Sequence, residues 1–244
     1  IVFRGVDWKF IPTTLLAQCD SCIGSKSSIN FLSYKNLVGT FKPPSHIYIF
    51  TGFLQSLTED EIRSGIGEML HYFLTEGIKL ASNLVNDIQN ILKDKKVLEN
   101  YVNESLRIKK KIIEIDEYDE TIRHIFNYGH TFGHALESIT KYKISHGQAV
   151  TLGIDLANFI SFKLGYISES LFLKIHKILN KNKPEFYFNN NNIKSYLNAL
   201  SKDKKNKGDL IGCILLKKIG LVEKEFIKND IKLKKIILEY SKKY

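Results

Sequence analysis

The sequence predicts a mainly α chain: a short α/β segment over residues 1–56, a multi-helix body over residues 57–244, and a short β-hairpin near the end. Three observations carry this reading. Up to Ser56 the apolar runs are short and strand-like, Lys9 to Ile11 and His46 to Phe50, separated by a loop rich in Ser, Gly and Lys that Pro43-Pro44 closes. From Thr58 onward apolar residues recur at helical spacing. Leu210 to Leu216 and Leu221 to Phe226 read as two strands joined by a turn.

Taken in order, Thr58 followed three residues later by Glu61 is a capping box and starts the helical part. The periodic segments are Glu61 to Leu92, Val97 to Ile115, Thr121 to Thr140, Gly147 to Leu164 and Leu171 to Leu179, with a last helix through Tyr240. No internal repeat is visible. At 244 residues and 43% apolar, the chain can bury a substantial core, which excludes disorder and a disulfide miniprotein.

No run reaches the ~18 apolar residues of a membrane helix, and IVFRGVDWKF lacks the order of a signal peptide. A cytoplasmic protein with no membrane partner is expected. The abrupt start at Ile1, directly in an apolar segment, leads us to expect further sequence upstream. Three cysteines, Cys19, Cys22 and Cys213, argue against a disulfide framework, and the Cys19–Cys22 pair lacks the second pair of a zinc site. The net charge of +10 comes almost entirely from lysine, a poor bidentate reader of bases, so no nucleic-acid partner is expected; a basic cleft for an anionic small molecule fits.

The chemistry concentrates in Asn127-Tyr-Gly-His130-Thr-Phe-Gly-His134 and Ser145-His146-Gly147. A helix would put His130 and His134 on one face, and His146 follows after a turn as a third nitrogen ligand. Such pairs also arise by chance, but three histidines within seventeen positions, each close to a glycine, make chance less attractive. Glu68 on the preceding helix is the candidate carboxylate, and a histidine–carboxylate set suits zinc, or cobalt, with a position left open for substrate. A second segment, Pro12 to Lys26 followed by Lys35-Asn36, sets small residues beside lysines, as a phosphate contact would; it matches neither the P-loop nor G-x-G-x-x-G, and a solvated turn is its ordinary reading.

Together with Arg4-Gly5, SGIGEMLHYFL, IRHIFNYGHTFGHALE, SHGQAV and DKKNKG, these segments run in an order that resembles the 3-dehydroquinate synthase family, within the wider sugar-phosphate cyclases. The resemblance implies a multi-helix metal-binding domain, residues 57–244, preceded by the C-terminal remnant of an α/β dinucleotide-binding domain, residues 1–56. It implies that Glu68, His130 and His146 bind zinc or cobalt. Lys26, Asn36, Asn127, His134 and Lys205 would surround a substrate phosphate, with Arg4 reaching it from the partner subunit of a homodimer. Arg123 and Lys109 would clamp a substrate carboxylate. Asp20 would meet substrate hydroxyls beside the nicotinamide of NAD, and Thr13, Thr14, Lys35, Phe53, Ser56 and Glu61 would lie against that cofactor. Asp20, His71, Lys109, Arg123 and His134 form the expected catalytic group.

The implied reaction turns a phosphorylated seven-carbon 2-keto-3-deoxy acid into 3-dehydroquinate with loss of phosphate, a step of aromatic amino-acid biosynthesis through shikimate. His71 stands where the family usually has lysine; sharing a helix face with Glu68 it should still point at the site, but an imidazole of reference pKa ~6.5 carries no permanent charge. Ser25 replaces a glycine and Gln148 a glutamate. Other readings stay open: a cyclase for a different sugar phosphate, a metal- and NAD-dependent polyol dehydrogenase, or an inactive fragment acting as an interaction module.

Overall fold

The computed structural model describes residues 6–31, 34–91, 93–203 and 205–244, with residues 30 and 34–37 by their backbone alone. The chain is mainly α. Its opening segment carries strand β1 (Lys9–Phe10), one π-helical turn (Ala17–Ser21), strands β2 (Lys26–Phe31), β3 (Tyr34–Phe41) and β4 (His46–Ile47), and a 3-10 turn (Thr51–Ser56). β1 and β4 pair in parallel, and β2 and β3 form an antiparallel hairpin with Lys26 opposite Phe41. This hairpin lies in the stretch expected to be a loop. Its Ser and Thr residues pair across the strands, Ser27 Oγ lying 3.0 Å from Thr40 Oγ1, so polar composition hid a regular element.

The body holds α1 (Glu59–Glu76), α2 (Lys79–Asp87), α3 (Lys95–Ile113), a 3-10 turn (Ile122–Asn127), α4 (His130–Ile139), α5 (His146–Lys163), α6 (Glu169–Leu179) and α7 (Ile193–Ser201). The hairpin β5 (Leu210–Lys218) and β6 (Leu221–Lys228) follows, then α8 (Ile231–Lys243). The capping box is present: the Thr58 hydroxyl accepts from the Glu61 backbone and the Glu61 carboxylate accepts from the Thr58 N–H at 2.8 Å.

Two expected single helices are broken. The run from Glu61 divides at Gly77, whose φ of 149° ends α1, and the run from Thr121 divides at Gly129, whose φ of 80° turns the chain into α4. Both are conformations that a Cβ disfavours. α7 was not anticipated, because its short pattern follows the Asn189 to Asn192 run.

α5 is the central element, buried at nearly every position from Gly147 to Ser161, with α1, α4, α6, α8 and β5 around it. Its Asp155 ties the far side together, accepting from His176 Nδ1 at 2.8 Å and Tyr240 Oη at 2.6 Å. Leu15 and Cys19 of the opening segment lie in the same buried cluster as α1. Among the described residues no helix is long and apolar enough to cross a membrane.

Candidate metal centre and its surroundings

Close backbone contact between α1 and α5 builds the site. A Cβ on Gly67 would lie 2.0 Å from the Gly147 carbonyl oxygen, and one on Gly147 would lie 1.8 Å from that of Ser64. The Ser64 hydroxyl accepts the Gly147 N–H at 3.1 Å. Each contact glycine neighbours a functional residue, so this approach carries Glu68 against His146. α4 supplies the rest, with the rings of His130 and His134 5.4 Å apart on one face.

Glu68 Oε1 lies 3.1 Å from His146 Nε2 and 3.4 Å from His130 Nε2. Donors about 2.0–2.1 Å from a tetrahedral zinc stand roughly 3.3–3.4 Å from one another. These distances therefore fit edges of that polyhedron. One ligand atom from each of His130, His134 and His146 also fits within 4.8 Å of the others. Glu68 Oε1 is buried yet makes no hydrogen bond, as a metal ligand would be without its ion. The donor set fits zinc or cobalt, and it places His134 beside the three predicted ligands.

The facing groups hold one another in their charged forms. Burial works against ionised Glu68, but His130 and His146 outweigh it and hold its carboxyl well below the usual range. Burial likewise works against protonated His146, but Glu137 and Glu68 outweigh it and push the imidazole up to about 10.

Glu137 escaped the sequence reading. It is 4% exposed and its Oε1 lies 3.0 Å from His146 Nδ1. It sits at the end of the GHTFGHALE segment, and its spacing of i+3 from His134 was the available signal.

His71 lies next to Glu68 on α1. It shares the Glu68 face, with Nδ1 3.7 Å from Glu68 Oε2, but it is 0% exposed and enclosed by Tyr72, Phe126 and His130. It stands behind the carboxylate, closed off from solvent. Burial, reinforced by His130, lowers its pKa to about 3, so the ring is neutral.

Asp20, on the π-helical turn, is held from two sides. Lys109 Nζ donates to its Oδ1 at 2.8 Å and to its carbonyl at 2.6 Å, and the Tyr72 hydroxyl, also missed in the sequence, donates to the same Oδ1. Arg123 is buried and its guanidinium donates to the Glu117 carbonyl. Its backbone N–H, with those of Glu120 and Thr121, is gripped by the Asp116 carboxylate at 2.8–2.9 Å. Lys26 pairs with Asp119 at 2.8 Å, joining β2 to this turn. Lys205 Nζ donates to Asn127 Oδ1 at 3.1 Å.

The expected cofactor contacts carry local structural duties. Thr14 Oγ1 accepts from the Ala17 N–H at 3.2 Å, the Ser56 hydroxyl donates to the Phe53 carbonyl at 3.0 Å, and Glu61 is committed to the capping box. Thr13 is exposed. Arg4 lies outside the described residues, as do the side chains of Lys35 and Asn36.

Comparison with known proteins bears on this geometry. The family model described as 3-dehydroquinate synthase C-terminal matches residues 65–206, and the one described as 3-dehydroquinate synthase N-terminal matches residues 1–64. A 3-dehydroquinate synthase of Dictyoglomus thermophilum is 40% identical over 228 residues, 91% of this chain and 63% of its own length. That of Campylobacter concisus is 37% identical over 237 residues, 97% of this chain and 66% of its own. The chain thus spans just under two thirds of these curated relatives. A crystal structure of 2-deoxy-scyllo-inosose synthase complexed with carbaglucose-6-phosphate, NAD+ and Co2+ superposes with a TM-score of 0.82 at 26% identity, covering 98% of this chain and 68% of that one. A 2-epi-5-epi-valiolone synthase from Streptomyces hygroscopicus shares the fold, with a TM-score of 0.79 at 22% identity over 96% of this chain and 65% of that one.

Proposed function

Since the chain belongs to the 3-dehydroquinate synthase family, we propose that it forms the metal- and substrate-binding part of a carbon–oxygen lyase that cyclises a phosphorylated seven-carbon 2-keto-3-deoxy acid to 3-dehydroquinate and releases phosphate. The observation that carries this reading is the convergence of Glu68, His130, His134 and His146, with Asp20 held nearby by Lys109 of α3 and Tyr72 of α1. Residues 57–244 are the metal- and substrate-binding part and residues 1–56 the remainder of the cofactor-binding part. The protein works in the cytoplasm as a homodimer.

Glu68, His130 and His146 would hold zinc or cobalt. Bound there, the cation supplies polarisation of a substrate oxygen, while NAD supplies reversible hydride transfer. The chain's own residues bind and orient. Asp20, held at Oδ1 by Tyr72 and Lys109, presents Oδ2 to substrate hydroxyls. Arg123 meets the substrate carboxylate, with Lys109 aligned through Asp20. Lys26, Asn36, Asn127, His134 and Lys205 receive the phosphate, joined by Arg4 of the partner subunit. Thr13, Thr14, Lys35, Phe53, Ser56 and Glu61 border NAD. Fixing substrate against these groups supplies much of the rate.

A second reading, a cyclase for a different sugar phosphate, is favoured by His71, a buried neutral ring where the family usually has lysine, and by the likeness to 2-deoxy-scyllo-inosose synthase. Phosphate release by the protein expressed from its complete reading frame separates the two. Release from the seven-carbon acid phosphate without net NADH supports the first; release only from hexose or heptulose phosphates supports the second. Net NADH accumulation would instead indicate a polyol dehydrogenase.

A further inference from the structure

The imidazoles around Glu68 are backed unequally. His130 Nδ1 faces a neutral group, the Tyr128 carbonyl oxygen, at 3.3 Å. His146 Nδ1 faces a carboxylate, Glu137 Oε1, at 3.0 Å. The second oxygen of Glu137 lies 3.9 Å from His134 Nε2. One buried carboxylate on α4 thus reaches the first residue of α5 and the remaining imidazole of its own helix.

An ionised carboxylate only accepts hydrogen bonds, so the proton between Glu137 and His146 belongs to Nδ1. Nε2, which faces Glu68 Oε1 3.1 Å away, is then the nitrogen whose proton a cation would replace. A carboxylate behind a ligating imidazole fixes its tautomer and ring orientation and makes the ring a stronger donor. It also places a second negative charge on the far side of the His146 ring from Glu68, so that two carboxylates would balance one divalent cation. The backbone carbonyl behind His130 orients its ring but brings no charge.

We propose that Glu137 is the positioning residue of the metal centre: it holds His146 in the metal-binding tautomer and provides the charge that tunes the site for a divalent cation. This inference rests on the metal-site reading above and extends it to a residue that touches neither the cation nor substrate.

The test is zinc affinity by competition with a chromophoric chelator, together with the visible spectrum of the cobalt-loaded protein, for wild type, Glu137→Gln and Glu137→Ala. Gln is isosteric and can still accept from Nδ1–H, so it separates charge from shape. Loss of such a partner typically weakens binding by about 10–100-fold. Glu137→Gln is expected near the lower end and Glu137→Ala near the upper end, with a shifted cobalt spectrum in both and far-UV circular dichroism of the folded protein. Should Glu137→Ala fail to fold, Glu137→Gln alone decides. Zinc affinity of Glu137→Gln within twofold of wild type, with an unchanged cobalt spectrum, would overturn the inference and leave the metal site standing. A wild-type protein that binds neither cation would overturn the metal-site reading itself.

Discussion

The metal cluster and the opening segment are built on unlike foundations. The cluster stands on α1, α4 and α5, whose inward residues are buried over whole turns. Residues 6–56 offer two-residue strands, a hairpin and single turns, and leave Ile11, Tyr48, Ile49 and Phe50 each at least 39% exposed. Donor atoms that must meet within a few tenths of an ångström need elements that cannot shift, and backbone contact between helices supplies that. Groups that close around a larger ligand can stand on elements held by a few local hydrogen bonds.

The largest effect is expected where helix touches helix. Gly147→Ala sets a Cβ 1.8 Å from the Ser64 carbonyl oxygen, and two backbones cannot relieve that by changing rotamer. Overpacking costs about 1–3 kcal/mol, and this site should lie at the upper end. The denaturant midpoint should fall and zinc binding weaken with it, since His146 moves with its neighbour. Phe53→Ala, in the opening segment and already 39% exposed, should cost less than about 1 kcal/mol. Equal losses from the two substitutions would erase the contrast between the regions.

Next comes the seam between them. Tyr72 on α1 donates to Asp20 on the π-helical turn, and a hydrogen bond to a charged acceptor contributes about 1.5–3 kcal/mol. Tyr72→Phe should lower stability by an amount in or just below that range, because Lys109 still holds the carboxylate. Urea unfolding measures it; no change would mean that Lys109 alone fixes Asp20.

Much of the helical body was legible because burial imposes a period on the sequence. The capping box at Thr58 and the shared face of His130 and His134 follow from local spacing, and both are present. What escaped depended on long-range approach or on conformation at one residue. Gly77 and Gly129 each interrupt an apolar period that reads as continuous. His71 has the helix face expected from its spacing, yet its closure behind Glu68 depends on Phe126 and His130, far along the chain. Glu137 takes its role from His146, which lies across a turn on the next helix.

A third effect depends on pH. Burial opposes the charge of Asp116, but the N–H groups of Arg123, Glu120 and Thr121 outweigh it and hold the carboxyl well below its ordinary value. A carboxyl depressed on folding stabilises fully above its unfolded pKa, about 3.9, and loses that contribution as pH falls toward the folded value. The gap in unfolding free energy between wild type and Asp116→Asn should therefore be constant above about pH 5 and narrow below pH 4. A gap independent of pH would show that the turn carrying Arg123 is fixed by shape rather than by charge.

The smallest effect on stability is expected at the tether between β2 and that turn. Lys26 and Asp119 meet at 2.8 Å, but their side chains are 41% and 27% exposed. Exposed ion pairs contribute between 0 and about 1 kcal/mol and weaken with salt. Lys26→Ala should thus shift the unfolding midpoint barely at all, and any shift should vanish at high salt. Zinc retention should stay at the wild-type level, because the tether lies off the helices that carry Glu68 and the imidazoles. If Lys26 receives the substrate phosphate as proposed, binding of a phosphorylated ligand should weaken far more than either quantity, as isothermal titration would show. Matching losses of zinc and of phosphorylated ligand would mean that the opening segment and the metal helices act as one unit, and the division drawn between them would fail.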